Sequence, residues 1–136
     1  MFSASTQIRV RYGETDQMGV VYHGNYALFF ESARTEALRA IGISYKAIEE
    51  SGVMMPVHSL SFKYLKSAKY DDLITVVAKF NHMPTVRAVI EYEVYNEANE
   101  LLCTGESTLV FMDVKTNRVT RCPQILEQAL IPYFKA

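Results

Sequence analysis

The sequence predicts an α+β fold in which one long antiparallel sheet wraps a single central helix, with a short second helix and a C-terminal helix added. Three observations predict it. A 3.6-residue apolar period is confined to one early stretch, near residues 26–41. A period of two then runs through four long segments between residues 54 and 112. The links between those segments are too short for helical crossovers, which favours antiparallel neighbours.

Taken in order, Gln7 to Tyr12 alternates polar and apolar side chains with β-branched and aromatic members, the signature of a half-buried strand. Gly13 and Gly19 bracket an irregular loop. From about Gly24, Tyr26, Phe29, Phe30, Ala33, Ala37, Ala40 and Ile41 step by three and four along one helical face, while Glu31, Ser32, Thr35, Glu36 and Arg39 take the remainder. Gly42 supplies a C-terminal stop. Ser44 to Ser51 reads as a second helix capped by Ser44 and ended by Gly52.

Strands are expected over 54–66, 72–83, 85–96 and 100–112. Ile74, Val76, Ala78 and Phe80 share one face; so do Val86, Ala88, Ile90, Tyr92 and Val94, and in the last segment Leu101, Cys103, Leu109 and Phe111. Pro123 to Phe134 reads as a terminal helix begun by proline. A single sheet on one helix leaves edges that need cover, and dimerisation about a two-fold axis supplies it.

At 136 residues the chain fits one domain, expected to span 1–136, and an apolar share of 49% with 21% charged residues excludes a disordered chain. Fourteen Lys and Arg against fifteen Asp and Glu leave a net charge of −1, which argues against nucleic acid or an anionic membrane as the main partner. No apolar run has the length of a membrane span and the first residues do not read as a signal peptide, so a cytoplasmic protein is expected. Cys103 and Cys122 are expected to be reduced and structural. His23, His58 and His82 are too scattered for a metal site, and no Gly-x-Ser-x-Gly elbow is present.

Candidate chemistry concentrates in the loop before the first helix. Asp16 precedes Met18, Gly19 and Val20, and Tyr22 to Tyr26 then lead into the helix. A carboxylate facing a helix start meets free backbone N–H groups, which also suit a developing oxyanion; an ordinary turn cap is the competing reading of Asp16. On the helix, Glu31 with Arg34 and Glu36 with Arg39 have the spacing of local ion pairs.

The run from Arg9 through Tyr12, Gly13, Glu14, Thr15, Asp16, Gln17, Met18, Gly19, Val20, Val21, Tyr22, His23, Gly24 and Asn25 to Tyr26 resembles the signature of hotdog-fold acyl-CoA thioesterases of the 4-hydroxybenzoyl-CoA thioesterase family. Phe30 to Glu36 resembles its Tol-Pal-associated branch. Lys63 to Asp72 is similar to the family's strand-to-strand turn, with Ser67 where proline is more usual.

This resemblance implies the hotdog fold, which agrees with the helix-then-strands pattern, and implies that Asp16 is the catalytic carboxylate and the His23 backbone N–H polarises the thioester carbonyl. It implies attack by Asp16 itself or by water that Asp16 deprotonates, and an acyl group entering between the subunits of a dimer; a homodimer or homotetramer is the expected assembly. No cofactor is expected, because a thiolate is a tolerable leaving group and one carboxylate plus one oxyanion donor suffices.

Met18, Tyr22, Tyr26 and Glu31 are expected around the acyl group, with Leu28, Phe29, Phe30 and Met54 as apolar lining for a small or medium acyl or an aryl group. Arg118 and Arg121 are expected at the CoA phosphates. A non-hydrolytic acyl-CoA or acyl-carrier-protein binding module is the alternative on the same fold. A hydratase-like enzyme is disfavoured, since its expected His/Asp dyad is not recognisable.

Overall fold

The computed structural model describes residues 1–134. Five strands form one antiparallel sheet: β1 (Phe2–Arg9), β3 (Val57–Tyr64), β4 (Leu73–Phe80), β5 (Arg87–Tyr95) and β6 (Leu101–Val110), in the order β1-β4-β5-β6-β3. The short strands β2 (Val53–Met54) and β7 (Met112–Asp113) pair separately. Helix α1 (Tyr26–Ala40) packs on β1 and β4, α2 (Tyr45–Glu50) follows it, and α3 (Gln124–Phe134) closes the chain.

The apolar stripe of α1 explains its seat. Phe29, Phe30, Ala33, Ala37 and Leu38 are buried against an inner sheet face made by Ile74, Val76, Ala78 and Phe80 with Ala88, Ile90, Tyr92 and Val94. Burying each large side chain here contributes about 2 kcal/mol. Ala40 falls outside the stripe and is exposed, because the last turn rotates it past the sheet. Gly42, at φ +83°, ends the helix. Ser44 caps α2 as expected, its hydroxyl accepting from the Ala47 N–H at 3.0 Å.

Close approach of α1 to the sheet depends on Gly105. A Cβ there would stand 2.3 Å from the Phe30 ring and 2.5 Å from the Ser61 carbonyl oxygen. With that space open, Phe30 stacks between Tyr92 (4.2 Å) and Phe62 (5.1 Å), and Phe62 stacks on Tyr64 (5.9 Å). One aromatic column therefore joins β5, α1 and β3.

Strand limits depart from the sequence expectation where pairing overrides local preference. β1 begins at Phe2 rather than Gln7, because the weak strand formers Ser3 to Thr6 pair with Lys79 to Val76 of β4. Val10 leaves the ladder, and Tyr12–Glu14 form a 3₁₀ turn. The expected strand 54–66 is two strands, interrupted at Met55 and Pro56; proline lacks the N–H that would continue a ladder. Val86 lies before β5 and is exposed instead of sharing its buried face. A register shift at Val94/Tyr95 buries Leu102 along with Cys103 while Leu101 is only half-buried.

The free thiols of Cys103 and Cys122 are buried, and burial pushes them up to about 11 and about 12. The two edges of the sheet differ. At the β1 edge, Phe2 packs on Tyr133 of α3 and the Met1 amine donates to the Tyr133 carbonyl at 2.8 Å. β3, at the other edge, leaves Val57, Leu60 and Tyr64 exposed. Among the described residues, no helix is long and apolar enough to cross a membrane.

Candidate active site

The loop between β1 and α1 is held by its own backbone. Asp16 N–H donates to the Val20 carbonyl (2.9 Å) and Gly19 N–H to the Asp16 carbonyl (3.0 Å), with Gly19 at φ +79° completing the tight turn. Val21 N–H donates to the Ala68 carbonyl (2.8 Å), docking the loop on the segment after β3. Buried Glu14 ties the loop's two ends: its carboxylate accepts from the Arg11 N–H (2.7 Å), and its carbonyl accepts from the Tyr22 N–H (2.9 Å) and the Asn25 side chain (2.8 Å).

Asp16 is a turn former as well as the candidate carboxylate. Its Oδ1 accepts from the Met18 N–H at 2.9 Å, an Asx turn. Oδ2 has no hydrogen-bond partner among the described residues. Both readings of this residue are thus compatible in one geometry.

The helix begins with a 3₁₀ turn, His23–Asn25, that runs directly into α1. The Tyr22 carbonyl accepts from the Asn25 N–H at 2.9 Å, and the His23 carbonyl accepts from the Tyr26 N–H and from the Tyr64 hydroxyl at 3.0 Å. Those carbonyls point along the helix, so the N–H groups of His23 and Gly24, across the same trans peptide planes, point out of its start. Neither has an acceptor among the described residues. The His23 imidazole is exposed, 4.3 Å from the Tyr22 ring.

Asp16, Met18, Val20, Val21, His23 and Tyr26 line one cavity of about 300 Å³ with Tyr64, Leu65, Lys66 and Ser67 from the end of β3 and the turn beyond. Burial pushes the Tyr26 phenol up to about 12. Lys66 pairs with Glu100. This contribution from β3 was not visible in the loop motif; the resemblance of Lys63 to Asp72 to the family's turn was the signal that pointed there.

Other expected site residues lie elsewhere in the chain. Tyr22 stands beside His23 with its ring against Gly24. Glu31 lines a second cavity, of about 500 Å³, with Arg34, Thr35, Tyr45, Glu49, Met55 and Val57. Arg118 and Arg121 follow β7, which pairs with β2 just before β3, and so lie toward the Val57 end of β3, opposite Tyr64. Among the expected apolar lining residues, Met18 reaches the Asp16 cavity, Leu28 is exposed, Phe29 and Phe30 are core, and Met54 lies beside Tyr45. His58 and His82 are exposed.

The second cavity corrects one ion pair. Glu36 and Arg39 do pair, but Arg34 turns inward, 6% exposed, and its Nε and Nη1 donate to the hydroxyls of Tyr45 (2.8 Å) and Tyr92 (3.1 Å). The Tyr92 hydroxyl also bonds Ser107 at 2.7 Å. Sheet and helix face compete for this guanidinium, and two fixed phenols outbid one exposed glutamate.

The family model of the thioesterase-like superfamily matches residues 10–130. The acyl-CoA thioester hydrolase YbgC of Escherichia coli is 31% identical over 128 residues, spanning 94% of this chain and 92% of that protein. Among solved structures, a DHNA-CoA thioesterase from Staphylococcus aureus is 36% identical with a TM-score of 0.88, covering 100% of this chain and 97% of that one. A Thermus thermophilus protein, TT1821, has a TM-score of 0.86 at 32% identity over 93% of this chain and 95% of its own.

Proposed function

The chain belongs to the thioesterase-like superfamily, with the hotdog fold, and is a thioester hydrolase; from that premise we propose that it cleaves acyl-CoA thioesters of small or medium acyl or aryl groups, at the cavity holding Asp16 and His23. The whole of 1–136 acts as one thioesterase domain, in the cytoplasm. The observation that carries the site is that a carboxylate oxygen without a protein donor and the His23 backbone N–H without an acceptor belong to residues lining one cavity at the helix start.

With the thioester oxygen on the His23 N–H, the carbonyl carbon faces Asp16. Water that Asp16 deprotonates, or the carboxylate itself, adds to that carbon; the His23 N–H holds the oxyanion, and the C–S bond breaks to release CoA thiolate. Direct attack gives a mixed anhydride that water then opens to the free acid. Either way one water is consumed, and acid and thiol are produced. Met18 and Tyr26 border the reacting group, and Tyr22 stands beside His23 outside the cavity lining.

Exposed β3 supports assembly: eight residues long, with apolar side chains at its surface and an unpaired outer edge, it is a template for antiparallel pairing with a second copy. A dimer or dimer of dimers follows. Glu31, Arg118 and Arg121, at the far end of β3, approach the Asp16 cavity of a partner copy in such a pairing, with the arginines available to CoA phosphates.

Thioester turnover followed by thiol release across short, medium and aryl acyl-CoAs tests the reading. Release that depends on Asp16 supports it, and acyl-CoA binding without any thiol release would identify a non-hydrolytic binding module.

A further inference from the structure

The Tyr64 hydroxyl donates to the His23 carbonyl across 41 positions of sequence, from the edge strand to the helix start. That carbonyl shares its peptide unit with the Gly24 N–H, one of the two donors directed out of the helix. A hydrogen bond accepted at a carbonyl polarises its whole amide and strengthens donation from the N–H on the other side, and it fixes the plane in which that N–H points.

We propose that Tyr64 is a positioning residue for thioester hydrolysis, aligning and polarising the His23–Gly24 peptide so that the Gly24 N–H joins the His23 N–H in holding the oxyanion. This rests on the assignment of the Asp16 cavity as the hydrolytic site. It enlarges the oxyanion hole from one amide to two and makes the edge strand part of the machinery.

The surroundings of Tyr64 fit a held donor. Its ring stacks on Phe62 at 5.9 Å, meets Tyr26 edge-on at 5.4 Å, and borders the same cavity as Asp16 and His23. Partial burial, with Cys103 nearby, holds the phenol above its ordinary value, so it stays protonated through the neutral range. A hydroxyl needed only for solubility would have no reason to reach a carbonyl already bonded by the Tyr26 N–H.

Tyr64→Phe keeps the ring and its stacking and removes only the donor. We expect kcat to fall about 5- to 20-fold, as for loss of one modest hydrogen bond, with KM within about twofold. The melting temperature should hold, and the Gly24 amide proton should move upfield in the ¹⁵N-correlated spectrum. Unchanged kcat, or a loss confined to KM, would overturn the role.

Should Tyr64→Phe lower the melting temperature by several degrees, 3-fluorotyrosine at position 64 decides: kcat at or above the parent level supports the role, and a fall overturns it. Asp16→Asn is measured alongside. If Asp16→Asn stays fully active, the site itself is wrong and the role of Tyr64 falls with it. If Asp16→Asn is inactive while Tyr64→Phe is unaffected, only the role of Tyr64 is lost.

Discussion

At the start of α1, the backbone N–H groups of His23 and Gly24 and one oxygen of Asp16 have no partner among the described residues, and Asp16 and His23 line one cavity, whereas two turns further along, Arg34 of the same helix, Tyr45, Tyr92 and Ser107 bond to one another. The second cluster contributes to holding α1, α2 and the sheet together. The first leaves its hydrogen-bonding capacity unspent within the described residues, and in the proposed mechanism that capacity meets the thioester. Polar groups of similar type thus serve stability or chemistry according to whether the fold has already satisfied them.

Replacing a residue in each cluster should therefore change different observables. In Asp16→Asn, size is kept while charge and basicity are removed, and turnover should drop at least about 100-fold with the melting temperature unchanged. A folded Asp16→Asn protein with near-parental turnover on its best substrate would break the comparison at its functional end.

Arg34→Ala should act on stability, lowering it by about 3 kcal/mol in urea denaturation, because it leaves the hydroxyls of Tyr45 and Tyr92 without their charged donor and opens a void. A loss under about 1 kcal/mol would show that the buried guanidinium is poorly matched to its site.

His23 separates side chain from backbone. His23→Ala retains the N–H and should reduce turnover only mildly. His23→Pro removes the N–H at a first-turn position where proline is tolerated, so a folded protein that loses about 100-fold is expected. Equal and severe losses in both, with intact circular dichroism and substrate binding, would transfer the role to the imidazole.

The smallest test perturbs nothing. Light scattering of active protein should give two or four times the 15.5 kDa chain mass, reflecting pairing at β3, the open edge that also carries Tyr64. A monomer mass would leave that edge, and its exposed Leu60, without an explanation.

Sequence by itself determined the elements whose cause is local. The stripe of α1, the alternation that buries Ile74, Val76, Ala78 and Phe80, and the glycine stops at 42 and 52 all lie within a few turns or one strand, where spacing alone assigns a face; the Asp16-to-Tyr26 motif was legible through its resemblance to a thioesterase family. Tertiary structure decided what depends on partners distant in sequence. Ser3 to Thr6 become a strand because β4 lies beside them, Arg34 abandons Glu31 because Tyr92 reaches it from 58 positions away, and Tyr64 meets His23 only because β3 returns along the helix. Periodicity records which face of an element is apolar; it carries no record of which hydroxyl on another element the fold will bring within 3 Å of a carbonyl.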